Sequence, residues 1–403
     1  MKRDVLFLCQ YFYPEHNSSA TLPFDTARYL ADQGFAVDAL VGFPKEYSFE
    51  ERVPMKETVD GVNIRRIRYI QLSRGKRLSR LINYFSFTFS ALLRLFCLRR
   101  YKSIFVYSNP PVLPFVAVLA NVLFKTKIVF VAYDLYPEVA YASDSIKHGS
   151  LIDRGMKWIN RVMYHRVSRV VALTDEMKAF LVQNRPRLQP ENVVTIANWA
   201  HEKKSRLTPE ALEAFGYRPE QFVVSYFGNM GICQDMDTLM GAAELLRDAE
   251  NIRFLIVGHG SKKDAVADRI REKDLKNVQL LDFLTGERFE QAVAVSSCCV
   301  VSLEKGIKGM CAPSKYYSYL QGGKPVLAVV EEGSYLQAEV QQVRIGYGVN
   351  LGDSEKLAEV ILHMAKSPDE CREMGARTQM LYDSRYAMHI GLEKYRKMLE
   401  SIL

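Results

Sequence analysis

Gly309-Met310-Cys311-Ala312-Pro313-Ser314-Lys315 is followed closely by Tyr319-Leu320-Gln321-Gly322-Gly323-Lys324-Pro325-Val326-Leu327-Ala328. A small-residue loop ends at a lysine, a short amphipathic helix follows, and a Gly-Gly-Lys-Pro turn feeds an apolar strand. Upstream, Tyr226-Phe227-Gly228-Asn229-Met230-Gly231 is a second glycine turn, again between an apolar strand and a helical pattern. Helix N-termini offer free N–H donors and a positive dipole end, so two such turns in one α/β domain suit a phosphorylated ligand. A lysine beside the turn adds a full charge where phosphate oxygens would lie. Either turn alone also fits an ordinary structural β–α connection.

Working outward, apolar runs at 222–227, 253–257, 278–281, 299–302 and 326–329 read as buried strands. Helical patterns at 236–248, 262–273 and 287–296 lie between them. Upstream, strands are expected at 5–9, 36–41, 103–108, 128–132, 170–173 and 193–196. A loop through Ser18-Ser19-Ala20 leads to a helix at 22–33 closed by Gly34, and helices are expected at 153–166 and 175–184. Strands alternating with helices imply doubly wound parallel sheets. The charged, irregular stretch 200–215 reads as a linker, dividing the chain into domains 1–200 and 201–385, with a final helix at 387–402 in the segment 386–403.

The 403 residues suffice for two separate cores, and 48% hydrophobic with 25% charged residues is ordinary for a globular protein. Seven cysteines show no Cys-x-x-Cys spacing, and Cys298-Cys299 sit in an apolar run. Reduced, buried thiols in a cytosol-facing protein are expected, with neither a zinc site nor a disulfide framework. The first apolar run is short and soon meets Gln10, Tyr11 and Pro14, so it reads as a first strand and not as a signal peptide.

Net charge is +8, yet residues 61–133 hold thirteen Lys or Arg and no Asp or Glu. The rest of the chain is therefore net acidic, and this one segment marks a footprint for an anionic partner. Within it, the uncharged run 81–93 carries Tyr84, Phe85, Phe87 and Phe89. At 1.5 Å per residue it reaches only about 20 Å, short of the roughly 30 Å hydrocarbon core. The stretch 103–124 is broken by Asn109-Pro110-Pro111 and Pro114, so neither run should span a membrane. Arg74, Lys76, Arg77 and Arg80 before the first run, with Arg94, Arg99, Arg100 and Lys102 after it, suit an interfacial anchor on an anionic leaflet. An ordinary core helix with basic ends is the competing reading. No nucleic-acid-binding motif is present, and no nucleic-acid partner is expected.

These two glycine segments, with Val194-Thr195-Ile196-Ala197-Asn198-Trp199 and Asp134-Leu135-Tyr136-Pro137-Glu138, resemble the retaining glycosyltransferases of family 4. The similarity runs through nearly the whole chain in order, and is nearest the branch that builds bacterial surface polysaccharides on polyprenyl lipids. It implies a GT-B fold, two Rossmann-like domains facing a cleft, with the C-terminal helix packing back on the first. It further implies a UDP-sugar donor on the second domain, a polyprenyl-diphosphate-linked acceptor on the first, and a peripheral location on the cytoplasmic face of the plasma membrane. The transferred sugar would be an N-acetylated or deoxy hexose; the donor is a substrate and no cofactor is expected.

Transfer develops negative charge on the departing diphosphate, and stabilising it with preorganised donors is the main task of such a site. Gly228, Asn229, Met230 and Gly231, with Pro313, Ser314 and Lys315, are the phosphate-side candidates, and Lys315 is the catalytic cation. The resemblance assigns the base-binding pocket to Gly258, His259, Asp282, Phe283 and Leu284. In the first domain it points to Asp134 and Glu138 as catalytic candidates at a strand end. Tyr11, Glu15, His16, Asn109 and Tyr133 are acceptor-side candidates, since ligands lie beyond the carboxyl ends of open α/β sheets.

The chain departs from the family in several places. Ile232-Cys233-Gln234-Asp235 replaces the Arg and Lys that follow the first glycine turn, and Tyr133 replaces a common His. The family's pair of Glu falls at Met310 and Ser318, so neither carboxylate is present. Asp235 and Asp237 spell Asp-x-Asp, here at the first turn of a helix where acids favour the dipole, so capping and metal-independent activity are expected. The competing functions are a nucleotide-sugar epimerase, transfer to a soluble acceptor, and a catalytically silent donor-binding protein.

Overall fold

The computed structural model describes residues 2–44, 53–72, 77–142, 146–200 and 206–403. The chain forms two units, Met1–Asn198 with Gly309–Ala312 and His389–Leu403, and Trp199–Lys308 with Pro313–Met388. In each, runs that are apolar at successive positions become parallel strands covered on both faces.

The first unit holds β1 (Arg3–Cys9), β2 (Val37–Gly42), β3 (Lys56–Val59), β4 (Val62–Ile67), β5 (Tyr101–Tyr107), β6 (Lys127–Ala132), β7 (Arg169–Ala172) and β8 (Val193–Thr195). Their order is β3-β4-β2-β1-β5-β6-β7-β8, parallel except for the edge strand β3. The second unit holds β9 (Phe222–Asn229), β10 (Ile252–His259), β11 (Val278–Leu281), β12 (Cys298–Ser302), β13 (Val326–Val330) and β14 (Gly346–Asn350). Their order is β11-β10-β9-β12-β13-β14, and strand order reverses between β9 and β12, where doubly wound sheets place their ligands. In the first sheet the reversal lies between β1 and β5.

Three expectations are corrected. The first helix runs Ser18–Asp32, so Ser18-Ser19-Ala20 is its opening turn and not a loop. Pro23 lies inside it; burial of Ala20, Thr21, Leu22 and Pro23 outweighs the lost N–H. Second, the expected linker contains a helix, Pro209–Phe215. Thr208 Oγ1 accepts the Ala211 N–H at 3.2 Å and Gly216, left-handed at φ 73°, closes it. Residues 201–205 of that stretch lie outside the described residues. Third, β3 and β4 are an additional hairpin, turned by Asp60 (φ 47°) and Gly61 (φ 76°) as a two-residue left-handed turn requires.

The C-terminal helix Met388–Glu400 buries Leu392, Tyr395 and Met398, and Tyr29 donates to Glu393 at 3.0 Å. The helix Arg77–Leu92 packs on the opposite face of the first sheet, where Phe87 is fully buried and meets Tyr69 ring-to-ring at 5.5 Å. Asn83 ties it down through the Leu72 N–H and C=O at 2.8 and 2.9 Å. Among the described residues no helix is long and apolar enough to cross a membrane.

Candidate functional site

In the second unit, β9 and β10 pair in parallel with Gly228 opposite Gly258 and Asn229 opposite His259, so both glycine turns leave the sheet side by side. Gly258 has φ 155°, and a Cβ there would fall inside the Gly228 carbonyl oxygen. A Cβ on Gly260 (φ 141°) would collide with the Met230 carbonyl. Only glycines let these two backbones cross. The turn consumes some of its own donors: the Met230 N–H bonds His259 O at 2.7 Å, and the Gly231 N–H bonds Gln234 Oε1 at 3.1 Å. Of the candidate segment 228–231, the amides of Met230 and Gly231 are therefore engaged within the fold itself.

Tyr316, Tyr317 and Tyr319 on the helix Lys315–Gln321 are fully buried, and the Tyr319 hydroxyl both donates to Phe227 O and accepts its N–H at 3.1 Å. This pins the helix to the end of β9, and Ser314 is its N-cap residue. Lys315 is half-buried with its ammonium 4.0 Å from the centre of the Phe289 ring, a cation–π contact that fixes the charge beside the apolar core. Ser318, where the family carries a Glu, is 6% exposed.

Asp235 caps: its carboxylate accepts the Asp237 N–H at 2.9 Å, the Thr238 N–H at 3.1 Å and the Thr238 hydroxyl. Asp237 turns to Arg269 at 3.2 Å. The His259 and Phe283 rings meet edge to face at 5.2 Å. Lys263 pairs with Asp282 and, as hydrogen-bond donor, holds that carboxyl below the usual range. Two residues absent from the sequence reading also stand here. The Lys262 ammonium bonds Gln234 O at 2.6 Å and Glu304 at 2.9 Å, while the Glu304 N–H bonds Cys233 O at 2.8 Å. Lys262 thus returns a cation to the turn that lacks its usual basic pair. The position of Glu304 just beyond β12 was the available signal.

In the first unit, β1, β5 and β6 are neighbours, and their carboxyl ends lead to Tyr11, Asn109 and Tyr133-Asp134. Ser108 Oγ accepts the N–H groups of Tyr133 and Asp134, each at 3.1 Å. Asp134 also bridges to Cys311, and the Leu135 N–H bonds Met310 O at 2.9 Å, which seats 309–312 at this edge. Asp134 is half-buried, and withdrawal from water pushes its carboxyl up to about 6. Tyr133 meets the Tyr107 ring at 5.3 Å, and burial pushes its hydroxyl up. Tyr11 is buried, Glu15 half-buried and His16 exposed. Glu138 is drawn away into an ion pair with Arg185 at 2.7 Å. Sequence reasoning missed Gln10, which directly follows β1 at 1% exposure with both side-chain amide atoms lacking a hydrogen-bond partner.

The aromatic run divides by face. Phe87 enters the core while Leu78, Phe85, Phe89 and Leu93 remain 68, 52, 60 and 70% exposed, one apolar stripe at helical spacing. Arg80, Arg99 and Arg100 are exposed, Arg80 on the side of the helix away from that stripe, and Arg94 is half-buried with its guanidinium on Ser90 O at 2.7 Å. Arg74 and Lys76 lie outside the described residues, as does the side chain of Arg77. The helix Leu151–Arg166 adds exposed Leu151, Trp158, Arg154, Lys157 and Arg161, which the sequence reading had not singled out.

The glycosyl transferase 4-like domain family matches residues 24–199, and the glycosyl transferases group 1 family matches 221–367, together most of the chain. The chain belongs to the GT-B glycosyltransferases. It is 25% identical over 335 residues to the probable glycosyltransferase WbjE of Pseudomonas aeruginosa, covering 82% of this chain and 81% of that one. Two GT-B-like solved structures share its fold at low identity. Sucrose-phosphate synthase of Thermosynechococcus elongatus superposes with TM-score 0.78 at 15% identity, covering 99% of each chain. HepE of Anabaena, solved in complex with UDP-glucose, superposes with TM-score 0.73 at 14% identity over 99% of this chain and 100% of its own.

Proposed function

We propose that this glycosyltransferase moves an N-acetylated or deoxy hexose, with retention, from a UDP-sugar to a polyprenyl-diphosphate-linked acceptor in surface-polysaccharide synthesis. The observation that carries the donor half is the crossing of Gly228 and Gly258 beside Lys262 and Lys315. That crossing admits no side chain at 258 or 260, and two ammonium groups stand on the elements that flank it. HepE, with the same fold, was solved with UDP-glucose, which supports the same ligand class here.

In this reading the bond from the anomeric carbon to the diphosphate breaks as Lys315 and Lys262 take up the developing charge. The acceptor oxygen bonds the same face of that carbon, and its proton passes to the departing phosphate oxygen. Asp134, ionised above about pH 6, accepts a hydrogen bond from a sugar hydroxyl and orients it. Asn109 and Gln10 add amide groups on neighbouring strand ends. The exposed Phe85 and Phe89 with Arg80, Arg99 and Arg100 hold the enzyme on an anionic cytoplasmic leaflet, where a lipid-linked acceptor would be met.

Incubation with a panel of UDP-sugars and a polyprenyl-lipid extract, with and without EDTA, tests this. Transfer to lipid that survives EDTA is the expected result. Isomerisation of the donor without acceptor, or binding of UDP without turnover, would replace the proposal with the epimerase or the silent-binder reading.

A further inference from the structure

A cavity of about 500 Å³ opens on the first unit, walled by β2, β3, β4 and the segment Leu95–Arg100. It lies toward the amino ends of the parallel strands, reaching Asp38 near the start of β2 and Tyr101 at the first residue of β5. The acceptor-side residues Asn109 and Asp134 stand at the opposite, carboxyl ends, so this cavity is separate from them.

Its lining holds four cations, Lys56, Arg65, Arg94 and Arg100, and two carboxylates, Asp38 and Glu57. Both carboxylates are already engaged. Asp38 is bound by Arg3 at 2.7 Å, the Tyr101 hydroxyl at 2.8 Å and Asn63 at 2.9 Å. Glu57 pairs at 2.5 Å with Arg66, itself 0% exposed and anchored on Pro54 O and Tyr13 O at 2.8 and 2.9 Å. Among the described residues, Lys56, Arg65 and Arg100 make no ion pair. Four positive groups therefore converge on a concavity of ordinary ligand size without a free counter-charge.

We infer that this cavity is a phosphate-anion site, taking a phosphomonoester or diphosphate group through Arg65, Arg94, Arg100 and Lys56. Guanidinium forks suit phosphate oxygens because they donate paired N–H groups in a plane. The anion has two possible sources, a lipid headgroup or a free phosphate compound. Arg94 and Arg100 share a segment with Leu93 and Phe96, 70 and 71% exposed, which places apolar surface where acyl chains of a docked lipid would lie. The inference requires neither the donor nor the acceptor reading above.

The test compares wild type, R65A/R100A, the apolar variant F85S/F89S, and R271A/R372A, which removes equal charge from the second unit's surface. Binding of inorganic pyrophosphate is measured by calorimetry. Flotation is measured with phosphatidylcholine vesicles, with and without phosphatidylglycerol. All altered side chains are largely exposed, and a circular dichroism spectrum checks each fold. R65A/R100A is expected to weaken one ligand by roughly tenfold or more, the effect of losing charge-assisted bonds, while R271A/R372A does not. Loss confined to phosphatidylglycerol vesicles identifies the headgroup, and loss confined to pyrophosphate identifies a free phosphate. If R65A/R100A binds both like wild type, if wild type binds neither, or if R271A/R372A loses as much, the site does not exist. Vesicle binding lost in F85S/F89S but kept in R65A/R100A, with pyrophosphate unaffected, leaves membrane association standing and overturns the cavity alone.

Discussion

Replacing Asp134 with Asn should make the protein more stable and less active, and the two effects should part company with pH. The carboxyl is pushed from 3.8 in the unfolded chain to about 6 in the folded one by burial. For an acid raised on folding, the native state binds the proton more tightly. Wild-type stability is therefore greatest below the unfolded value, falls as pH rises between the two, and carries the full penalty above about 6. The displacement of about two units corresponds to at most about 3 kcal/mol. Because the side chain is half-buried, water screens part of this, and about 1–2 kcal/mol is the working expectation. Asn keeps the shape and removes the charge. Thermal unfolding of both proteins near pH 4 and near pH 8 measures the difference. A higher midpoint for the variant that appears only on the alkaline side is expected. A gap of the same size at both ends would refute the burial argument. Activity reports the role separately: wild-type kcat/KM should rise through about pH 6 as the carboxylate forms, and the variant should lose that limb. Full activity with an unchanged pH profile removes Asp134 from the chemistry.

Three further substitutions probe other links. Lys315→Ala should lower turnover about tenfold or more, the range for losing one preorganised charge stabiliser, with steady-state kinetics as the measure. Unchanged kinetics removes Lys315 from the diphosphate. Gly258→Ala places a methyl group against the Gly228 carbonyl at φ 155° and should cost about 3 kcal/mol or more, read as a lowered denaturation midpoint and lost UDP binding. A variant as stable as wild type would mean the two turns do not cross as described. Gln10→Met removes an amide buried without partners, so about 1 kcal/mol of stability should be gained while the KM for acceptor rises. A loss of stability with unchanged KM would show that the amide serves the fold.

Much of the second unit was legible because its strands are covered on both faces, so each is a near-continuous apolar run, as at 222–227 and 326–329. The β3–β4 hairpin was not, since Lys56, Glu57, Arg65 and Arg66 mask its pattern. Its Asp60-Gly61 turn was the one available cue. Arg66 shows the difficulty most sharply: a charged residue in a basic segment lies completely buried because carbonyls and Glu57 enclose its guanidinium. The opening of the first helix was hidden by Pro23, which local rules place in a first turn, so the expected start at 22 fell four residues late. At the candidate site, residue types that carry charge or flank glycine were found, whereas Gln10 and Glu304 depend on what stands opposite them across strands. No local spacing encodes that.

The thiols carry a practical consequence. Cys9, Cys298 and Cys299 are buried, with burial pushing all three thiols up, and Cys233, Cys311 and Cys371 are half-covered. Cys97 alone stands exposed, one residue from Phe96 and in the wall of the basic cavity. A maleimide dye would therefore attach there first in the native enzyme, with no engineered position required. Its emission colour would report directly whether that corner of the protein sits in water or in lipid.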